Sequence, residues 1–173
     1  MIFIFTGNGK GKTTSAIGQA VRVIGQGERA AIIQFIKSRK WAAGEDIALK
    51  VFGKNLKFIK GGKGFVGIMG DRLPKSLHKK AAEKTLRKAK KEIFSKKYGL
   101  VVLDEINVAL SLKLVKLNEV LKIIKMAPKE TDLILTGRDS PKTLIKEADL
   151  VTEFKEIRHP FKKGVWGKKG REY

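Results

Sequence analysis

The chain has 173 residues, of which 38 are Lys or Arg and 17 are Asp or Glu, so its formal net charge is +21. This length suits one domain, and a hydrophobic content of 42% excludes a compositionally disordered protein. The lack of cysteine excludes disulfide frameworks, iron–sulfur clusters and thiolate zinc sites, and only two histidines leave little room for a histidine-rich metal site. The positive charge predicts an anionic partner, which could be nucleic acid, a membrane surface or a polyphosphate ligand.

The first residues, MIFIF, are apolar, but the apolar run ends at Thr6-Gly7. It is too short for the core of a signal peptide or for a membrane span, and no basic segment precedes it. We therefore expect a cytoplasmic protein that does not associate with a membrane.

Short β-branched runs alternate with helical patterns along the whole chain. In chain order the pattern predicts a strand at 2–5, a helix at 13–24, strands at 30–36 and 56–59, a helix at 75–97, a strand at 100–103, a helix at 108–125 broken near Leu117-Asn118, a strand at 133–135, a helix at 140–148 and a strand at 150–154. This alternation indicates βαβ units. The predicted fold class is α/β, with a mostly parallel sheet of about six strands and helices on both faces.

The segment TGNGKGKTT, residues 6–14, lies between the first predicted strand and the first predicted helix. Small residues there let backbone N–H groups turn toward a polyphosphate, and the helix N-terminus adds a positive dipole. We expect Lys12 to be exposed in the loop and to reach the phosphates, and Thr13 to bind Mg²⁺ or Mn²⁺. The match to G-x-x-x-x-G-K-[ST] is imperfect because Thr6 stands where the first glycine belongs.

We interpret this segment as a variant phosphate loop and not as an ordinary glycine-rich turn. The chain is then a single P-loop NTPase (RecA-like) domain over 1–173, with a basic C-terminal tail from about 159. The predicted ATP-binding residues in the loop are Gly7, Asn8, Gly9, Lys10, Gly11, Lys12, Thr13 and Thr14.

An acidic pair, Asp104-Glu105, ends the fourth predicted strand. Carboxylates in this position commonly hold Mg²⁺ directly or through water, although an isolated acidic pair is often only a solvated turn. Together with the phosphate loop, the pair predicts a metal site formed by Thr13, Asp104 and Glu105.

Two more polar residues follow the last two predicted strands. Arg138 follows the fifth strand and His159 lies beyond the sixth, and such strand ends converge at the ligand crevice of a doubly wound sheet. Both residues also have structural alternatives, because Arg138 could pair with Asp139 and His159 could pack against Phe161. The sequence leaves these alternatives open.

Six segments carry a resemblance to a known family: TGNGKGKTTSAIGQAVRVIGQG (6–27), IIQFIK (32–37), WAAGE (41–45), VVLDEINVAL (101–110), LTGRDSPKTLIKEADLVTE (135–153) and KEIRHPFKKGV (155–165). Through them the chain resembles the P-loop ATP:corrinoid adenosyltransferases, also called cob(I)alamin adenosyltransferases. The likeness covers nearly the whole chain.

The resemblance implies transfer of the 5′-deoxyadenosyl group of ATP to the cobalt of a reduced corrinoid, either cobalamin or cobyrinic acid a,c-diamide, with release of triphosphate. By the family pattern, Lys12 and Arg138 would serve catalysis at the polyphosphate, and His159 would contact the nucleotide. We assign Phe65 and Trp41 to the corrinoid. A flavoprotein is a candidate reductant, and we expect a homodimer.

Two departures from the family pattern matter. Family members often carry a helical N-terminal extension over the corrinoid, whereas Met1 here begins the first strand, so a lid would come from the loop at 37–46, the basic tail or a partner subunit, or would be absent. Related enzymes also have Gly-Phe-x-Trp where this chain has Gly64-Phe65-Val66-Gly67. The missing tryptophan would make cobalt reduction harder, or would make base-off corrinoids the preferred substrate. Spacing alone also allows Phe65 to be a core residue.

Other classes of function remain as alternatives. Residues 72–97 contain 11 Lys or Arg and two Glu, and residues 155–173 contain seven Lys or Arg and two Glu. A nucleic-acid-dependent P-loop ATPase would explain this charge more directly, but no second motor domain is evident and few aromatics lie among the basic residues. A small-molecule kinase would need an acceptor base near the γ-phosphate. We interpret the first cluster as a solvated helix face and expect no specific nucleic-acid binding.

Overall fold

A computed structural model describes residues 1–38, 40, 43–68, 70–160, 164 and 170. The strands are β1 (Ile2–Thr6), β2 (Ala30–Gln34), β3 (Leu56–Lys60), β4 (Leu100–Asp104), β5 (Asp132–Thr136) and β6 (Leu150–Glu153). The helices are α1 (Lys12–Gly25), α2 (Gly44–Ala48), α3 (Lys75–Phe94), α4 (Ile106–Ser111), α5 (Leu117–Lys125) and α6 (Lys142–Ile145), with a 3₁₀ segment (Leu49–Asn55) between α2 and β3.

The six strands form one sheet in the order β3-β2-β4-β5-β1-β6, and every neighbouring pair is parallel. The predicted α/β class with a parallel sheet of about six strands is therefore confirmed. All strands end at the same edge of the sheet, so the segments that follow β1, β2, β4 and β5 meet there. β5 lies between β1 and β4 and separates the glycine-rich segment from the acidic pair by one strand.

Helices cover both faces of the sheet, as predicted. On one face, α1 packs through Ala16 and Ala20, which are one helical turn apart. On the other face, α3 packs through residues such as Leu86 and Ile93, together with α4, α5 and α6. Strands β2 and β4 are buried at every position, because a parallel sheet covered on both faces needs apolar side chains on both. Among the described residues, no helix is both long and apolar enough to cross a membrane.

The elements differ from the predicted ones mainly at helix ends. The long helix α3 stops at Phe94, three residues early, and Lys96 adopts a left-handed φ of 57°. The break predicted near Leu117-Asn118 is confirmed, since α5 begins at Leu117, but α4 begins at Ile106 and ends near Lys113, whose φ is 58°. Helix α2 lies partly inside the loop predicted at 37–46, because its five residues are too few to show a helical period.

Replacement of Gly18 by alanine should stabilise the fold. Gly18 lies on the exposed side of α1, and an added Cβ atom would have no neighbour within 4 Å. Alanine loses less backbone entropy than glycine in a helix, so we expect the free energy of unfolding to rise by about 0.5–1 kcal/mol. Thermal unfolding followed by circular dichroism would measure the change.

The matched control is Gly61→Ala, in which the added Cβ would lie 1.9 Å from Oγ1 of Thr85. That variant should lower the melting temperature. A Gly18→Ala variant that melts at or below the wild-type temperature would contradict the placement of Gly18.

Candidate active site

The glycine-rich segment forms a loop between β1 and α1, as predicted. Gly7 and Gly11 have φ values of 94° and 117°, in the left-handed region that glycine adopts without strain. Gly11 is the N-cap of α1, so the N-terminus of a 14-residue helix opens directly from the loop. Free N–H groups and the helix dipole at this point suit an anionic ligand.

The loop packs closely against the segment that follows β6. The N–H of Gly9 donates to the carbonyl of Phe154 at 2.6 Å. A Cβ atom on Gly9 would lie 2.7 Å from that oxygen, and one on Gly11 would lie 3.2 Å from the Phe154 ring. The ring also packs edge-on against Phe5, with 5.9 Å between centroids. The glycines are therefore needed for close contact with Phe154, a residue that sequence analysis placed only at the end of a strand.

Thr6, the departure from the usual phosphate-loop pattern, links the loop to the neighbouring segment after β5. Its Oγ1 accepts a hydrogen bond from the N–H of Ser140 at 3.3 Å, and its carbonyl accepts one from the N–H of Phe154 at 2.8 Å. A glycine at this position would lack the first of these bonds. The side chain of Thr6 thus connects the ends of β1 and β5.

Lys12 is buried, and the expectation that it is exposed is wrong. Only 8% of the residue is exposed, and its Nζ donates to the carbonyl oxygens of Gly7 at 2.7 Å and Gly9 at 2.6 Å. Burial lowers the pKa of Lys12, while the charge of Glu105 opposes that shift. A phosphate that binds Lys12 must compete with the two carbonyl oxygens of the loop.

Asp104 is the most highly bonded carboxylate of the site. It is 1% exposed, and its Oδ1 accepts hydrogen bonds from the hydroxyls of Thr13 and Thr136, both at 2.8 Å. Its Oδ2 accepts a bond from Nε2 of Gln34 at 3.0 Å. The carboxylate of Asp104 therefore joins β4 to α1, β5 and β2, and it brings Thr13 to the acidic pair as predicted.

The backbone conformation and the pKa of Glu105 are both unusual. Its φ is 61°, and its N–H donates to Oγ1 of Thr136 at 2.9 Å. Burial and the adjacent charge of Asp104 raise the pKa of Glu105 to about 7. The charges of Lys12 and Lys37 act in the opposite direction. Glu105 is therefore partly protonated at neutral pH.

The donor set at this edge of the sheet consists of oxygen atoms. The hydroxyl of Thr13 lies against the carboxylate of Asp104, and the Glu105 carboxylate is next along the chain. Oxygen donors suit Mg²⁺ or Mn²⁺. Within the described residues, no three His, Cys, Asp or Glu side chains converge on one point. Mg²⁺ does not need such a cluster, because it usually keeps water and substrate phosphates among its ligands.

Lys37, which sequence analysis placed in a polar loop, is a further cation at this edge. Its Nζ donates to Oε1 of Glu45 at 2.8 Å. Burial would lower the pKa of Lys37, but the charge of Asp104 and the hydrogen bond to Glu45 outweigh it, so the pKa is raised. Its position directly after β2 is the sequence signal that could have identified it.

The remaining predicted residues are Arg138, His159 and Trp41. Arg138 is exposed after β5, and its charge lowers the pKa of Lys12 and of Glu105. No ion pair joins Arg138 to Asp139, both of which are described. His159 is half-buried beyond β6, and its predicted alternative partner, Phe161, lies outside the described residues. Trp41 also lies outside them, so its assignment stays a prediction.

Phe65 is not a core residue. It is 44% exposed, in the segment between β3 and α3. Gly67, which stands at the position of the family tryptophan, has a φ of 69° and donates its N–H to Oδ2 of Asp71 at 2.9 Å. A side chain at Gly67 would have open space but a strained backbone, at a cost of about 1–2 kcal/mol. The backbone conformation of this segment therefore favours glycine at position 67.

Replacement of Gly9 by alanine should weaken nucleotide binding without unfolding the protein. The added Cβ would push the loop away from Phe154 and break the bond from the Gly9 N–H. We expect at least about tenfold weaker ATP binding, which is the loss that one displaced backbone bond to a charged ligand produces. Isothermal titration calorimetry would measure the affinity, with Gly18→Ala as the control on a glycine that has free space. An unchanged affinity would contradict the close packing of the loop.

The high pKa of Glu105 predicts a pH-dependent stability in the absence of divalent cations. The folded protein keeps a proton on Glu105 up to about pH 7, whereas the unfolded chain releases it near the ordinary glutamate pKa of 4.5. The stability contribution of this group is therefore present below pH 4.5 and is lost as the pH rises through 7.

Glu105→Gln removes this titration. Relative to the wild type, the free energy of unfolding of Glu105→Gln should rise between pH 5 and pH 8, by up to about 3 kcal/mol. Urea unfolding of both proteins at the two pH values, with a chelator present, measures the difference. A difference that does not change with pH would show that Glu105 is not buried beside Asp104.

Comparison with known proteins identifies the family. The sequence model of the family described as ATP:corrinoid adenosyltransferase BtuR/CobO/CobP matches residues 1–173. A corrinoid adenosyltransferase of Sinorhizobium sp is 37% identical over 174 residues, which cover all of this chain and 80% of that protein. Corrinoid adenosyltransferases of Pseudomonas aeruginosa and Escherichia coli are 34% and 31% identical, and the matches cover all of this chain and 83% and 85% of those proteins. With its phosphate loop and acidic pair together at one edge of a parallel sheet, the chain belongs to the ATP:corrinoid adenosyltransferase family.

Proposed function

We propose that the protein transfers the 5′-deoxyadenosyl group of ATP to the cobalt of a reduced corrinoid, either cobalamin or cobyrinic acid a,c-diamide, and releases triphosphate. The observation that carries this proposal is the bond between Thr13 and Asp104 beside the phosphate loop, in a chain that matches the family from end to end. This bond joins a nucleotide-binding element to the carboxylates that a bound metal ion would need.

The phosphate loop binds the polyphosphate of ATP in this proposal. The loop N–H groups and the N-terminus of α1 face the anion, and Lys12 exchanges its carbonyl partners for phosphate oxygens. Arg138 adds a second cation, and its effect on the pKa of Lys12 supports a role near the same phosphates. His159, beyond β6, contacts the nucleotide.

Thr13, Asp104 and Glu105 would hold Mg²⁺ or Mn²⁺ beside the phosphates. The bound ion would neutralise negative charge on the phosphates. Asp104 also orients the hydroxyl of Thr13 through their 2.8 Å hydrogen bond. Since the pKa of Glu105 is about 7, this carboxyl group accepts or releases a proton near neutral pH as the local charge changes.

The reaction needs no protein base, because the reduced cobalt is itself the nucleophile. A cobalt–carbon bond forms at C5′ while the C5′–oxygen bond breaks, and the electron pair of the broken bond leaves with the triphosphate. The protein aligns C5′ with the cobalt and stabilises the charge on the departing oxygen. Lys12 and Arg138 perform the second task.

Apolar side chains beyond β3 provide the surface for the corrinoid. Phe65, Ile68 and Leu73 are between 43% and 60% exposed, although all three are large and apolar. Exposed apolar groups of this kind mark binding surfaces in soluble proteins. In this proposal Phe65 contacts the lower face of the corrinoid, and Trp41, which lies outside the described residues, is a second corrinoid-binding residue.

The setting of the reaction follows from other features of the chain. We infer a cytoplasmic enzyme, in keeping with the lack of cysteine, and a flavoprotein as the reductant of the corrinoid. We also infer a homodimer, supported by the edge strand β6, where Leu150 and Val151 are 45% and 41% exposed.

The test of this function is incubation with Mg-ATP and chemically reduced cobalamin. A light-sensitive cobalt–carbon product formed together with triphosphate is the expected result. Release of phosphate without that product, stimulated by DNA or RNA and accompanied by submicromolar binding to the polymer at physiological salt, would instead support a nucleic-acid-dependent ATPase.

Replacement of Lys12 by alanine should abolish adenosyl transfer. The leaving triphosphate would lose its closest positive charge, and we expect a loss of at least about 100-fold in kcat, as for other donors that stabilise a developing anion. Because Lys12 is buried and bonded to the loop, thermal unfolding must be measured in parallel. Lys129→Ala is the control, since Lys129 is exposed and distant from the loop. Wild-type turnover by a folded Lys12→Ala variant at saturating Mg-ATP would overturn the assignment.

A further inference from the structure

The segment between β3 and α3, residues 61–73, presents apolar side chains to solvent and is here named the apolar loop. Phe65 and Ile68 are 44% and 60% exposed. Leu77, which follows shortly after this loop in the first turn of α3, is 42% exposed. Because its apolar side chains are not buried in the core, this loop gains little stability from them. Hydrogen bonds must therefore hold its conformation.

The first half of the apolar loop is fixed to the sheet by its backbone. The N–H of Gly61 donates to the carbonyl of Gln34 at 2.9 Å, and the N–H of Gly64 donates to that of Ile36 at 2.9 Å. Val66 then packs against the larger core cluster. Phe65 is therefore flanked by two anchored residues.

The second half depends on one carboxylate. Asp71 accepts hydrogen bonds from the N–H of Gly67 at 2.9 Å and from the N–H of Leu73 at 3.1 Å. These N–H groups, that of Gly67 first, hold the pKa of Asp71 below its usual range. The carboxylate thus ties the backbone of Gly67 to that of Leu73 in a turn, and it stays ionised while it does so.

A buried histidine connects this turn to α3. Nε2 of His78 lies 2.9 Å from Oδ2 of Asp71, and the side chain of His78 is 2% exposed. His78 stands at the start of the buried stripe of α3, which continues through Ala82 and Leu86. The turn is therefore tied to an element that cannot move without disturbing the core.

The glycine that replaces the family tryptophan is part of this arrangement. Gly67 presents its N–H to Asp71 from a left-handed backbone, with φ at 69°, which a tryptophan would adopt only with strain. In place of a second aromatic side chain, the chain has a hydrogen-bonded turn two residues after Phe65.

We propose that Asp71 and His78 are positioning residues that hold the apolar loop in the conformation in which Phe65 contacts the corrinoid. This role rests on the proposed function. It predicts that loosening the turn impairs the step in which Phe65 acts, which is the clearing of the lower face of cobalt before reduction. The subsequent transfer of the adenosyl group depends on the phosphate loop instead.

The experiment uses His78→Leu, which removes the hydrogen bond at similar volume, and Asp71→Asn, which changes one atom in a turn near the surface. His78→Gln is the conservative rescue, because its amide can still donate to Asp71. Lys79→Ala is the matched control, since Lys79 is the exposed neighbour of His78 on α3. Phe65→Ala is the reference for complete loss of the contact.

Two measurements are made on the full chain. Amide hydrogen exchange of residues 61–73, without corrinoid or ATP, should rise about tenfold in His78→Leu and in Asp71→Asn, which corresponds to the loss of one hydrogen bond to a charged group. Exchange in the central strands should not change. Adenosyl transfer that starts from cob(II)alamin with a reductant should fall about tenfold, in the same range as for Phe65→Ala, whereas transfer from cob(I)alamin prepared beforehand should fall much less. His78→Gln should recover part of both effects.

Each result bears on the proposal. Unchanged hydrogen exchange in both variants would show that Asp71 and His78 do not hold the apolar loop. Equal losses of activity in the two assays would show that the turn is only structural, and either result would overturn the proposal. If the wild type transfers no adenosyl group from either starting state, the proposed function fails and this role fails with it. The exchange data would then still report whether Asp71 and His78 hold the loop.

Discussion

The hydrogen bonds to the carboxylate of Asp104 are the constraint on which the rest of the site depends. A buried carboxylate is tolerated only when its oxygens are bonded, and here Thr13, Thr136 and Gln34 all donate to it. These donors come from α1, β5 and β2. The same group therefore fixes the start of α1 against the sheet, aligns three strand ends and places the first helical turn beside the acidic pair. Removal of any one donor would leave a buried charge incompletely bonded, which costs more than the bond itself.

The second constraint is the contact between the phosphate loop and Phe154. The loop lies between the first turn of α1 and the segment after β6, so its conformation is set from both sides. Its glycines at positions 7, 9 and 11 serve this packing as well as the approach of an anion. The segment that continues toward His159 is consequently held against the loop by the hydrogen bond from Gly9 to Phe154.

The sequence predicted the elements that depend on local pattern, and it missed the contacts that depend on distance along the chain. The buried strands, the helix after the glycine-rich loop and the meeting of Thr13 with Asp104 follow from periodicity and from the rule that parallel strands end together. The burial of Lys12 was not predictable, because it depends on how the folded loop presents the carbonyl oxygens of Gly7, which has a left-handed φ, and of Gly9. Nor was the bond between Asp71 and His78, because neither residue belongs to a motif that periodicity or spacing can identify.

The charge around the acidic pair suits the departure of a polyphosphate, as the proposed reaction requires. Lys12 and Arg138 lie within electrostatic range of Glu105, and Lys37 adds a third cation that it shares with Glu45. Against them stand Asp104, whose oxygens are already engaged by three donors, and Glu105, whose pKa of about 7 leaves it partly neutral. The site therefore offers Lys12, Lys37 and Arg138 to the negative charge of a leaving group, while Glu105 can still exchange a proton near neutral pH. Such a balance stabilises negative charge that appears on a leaving group, and the nucleophile in the proposed reaction arrives already reduced and needs no proton removed.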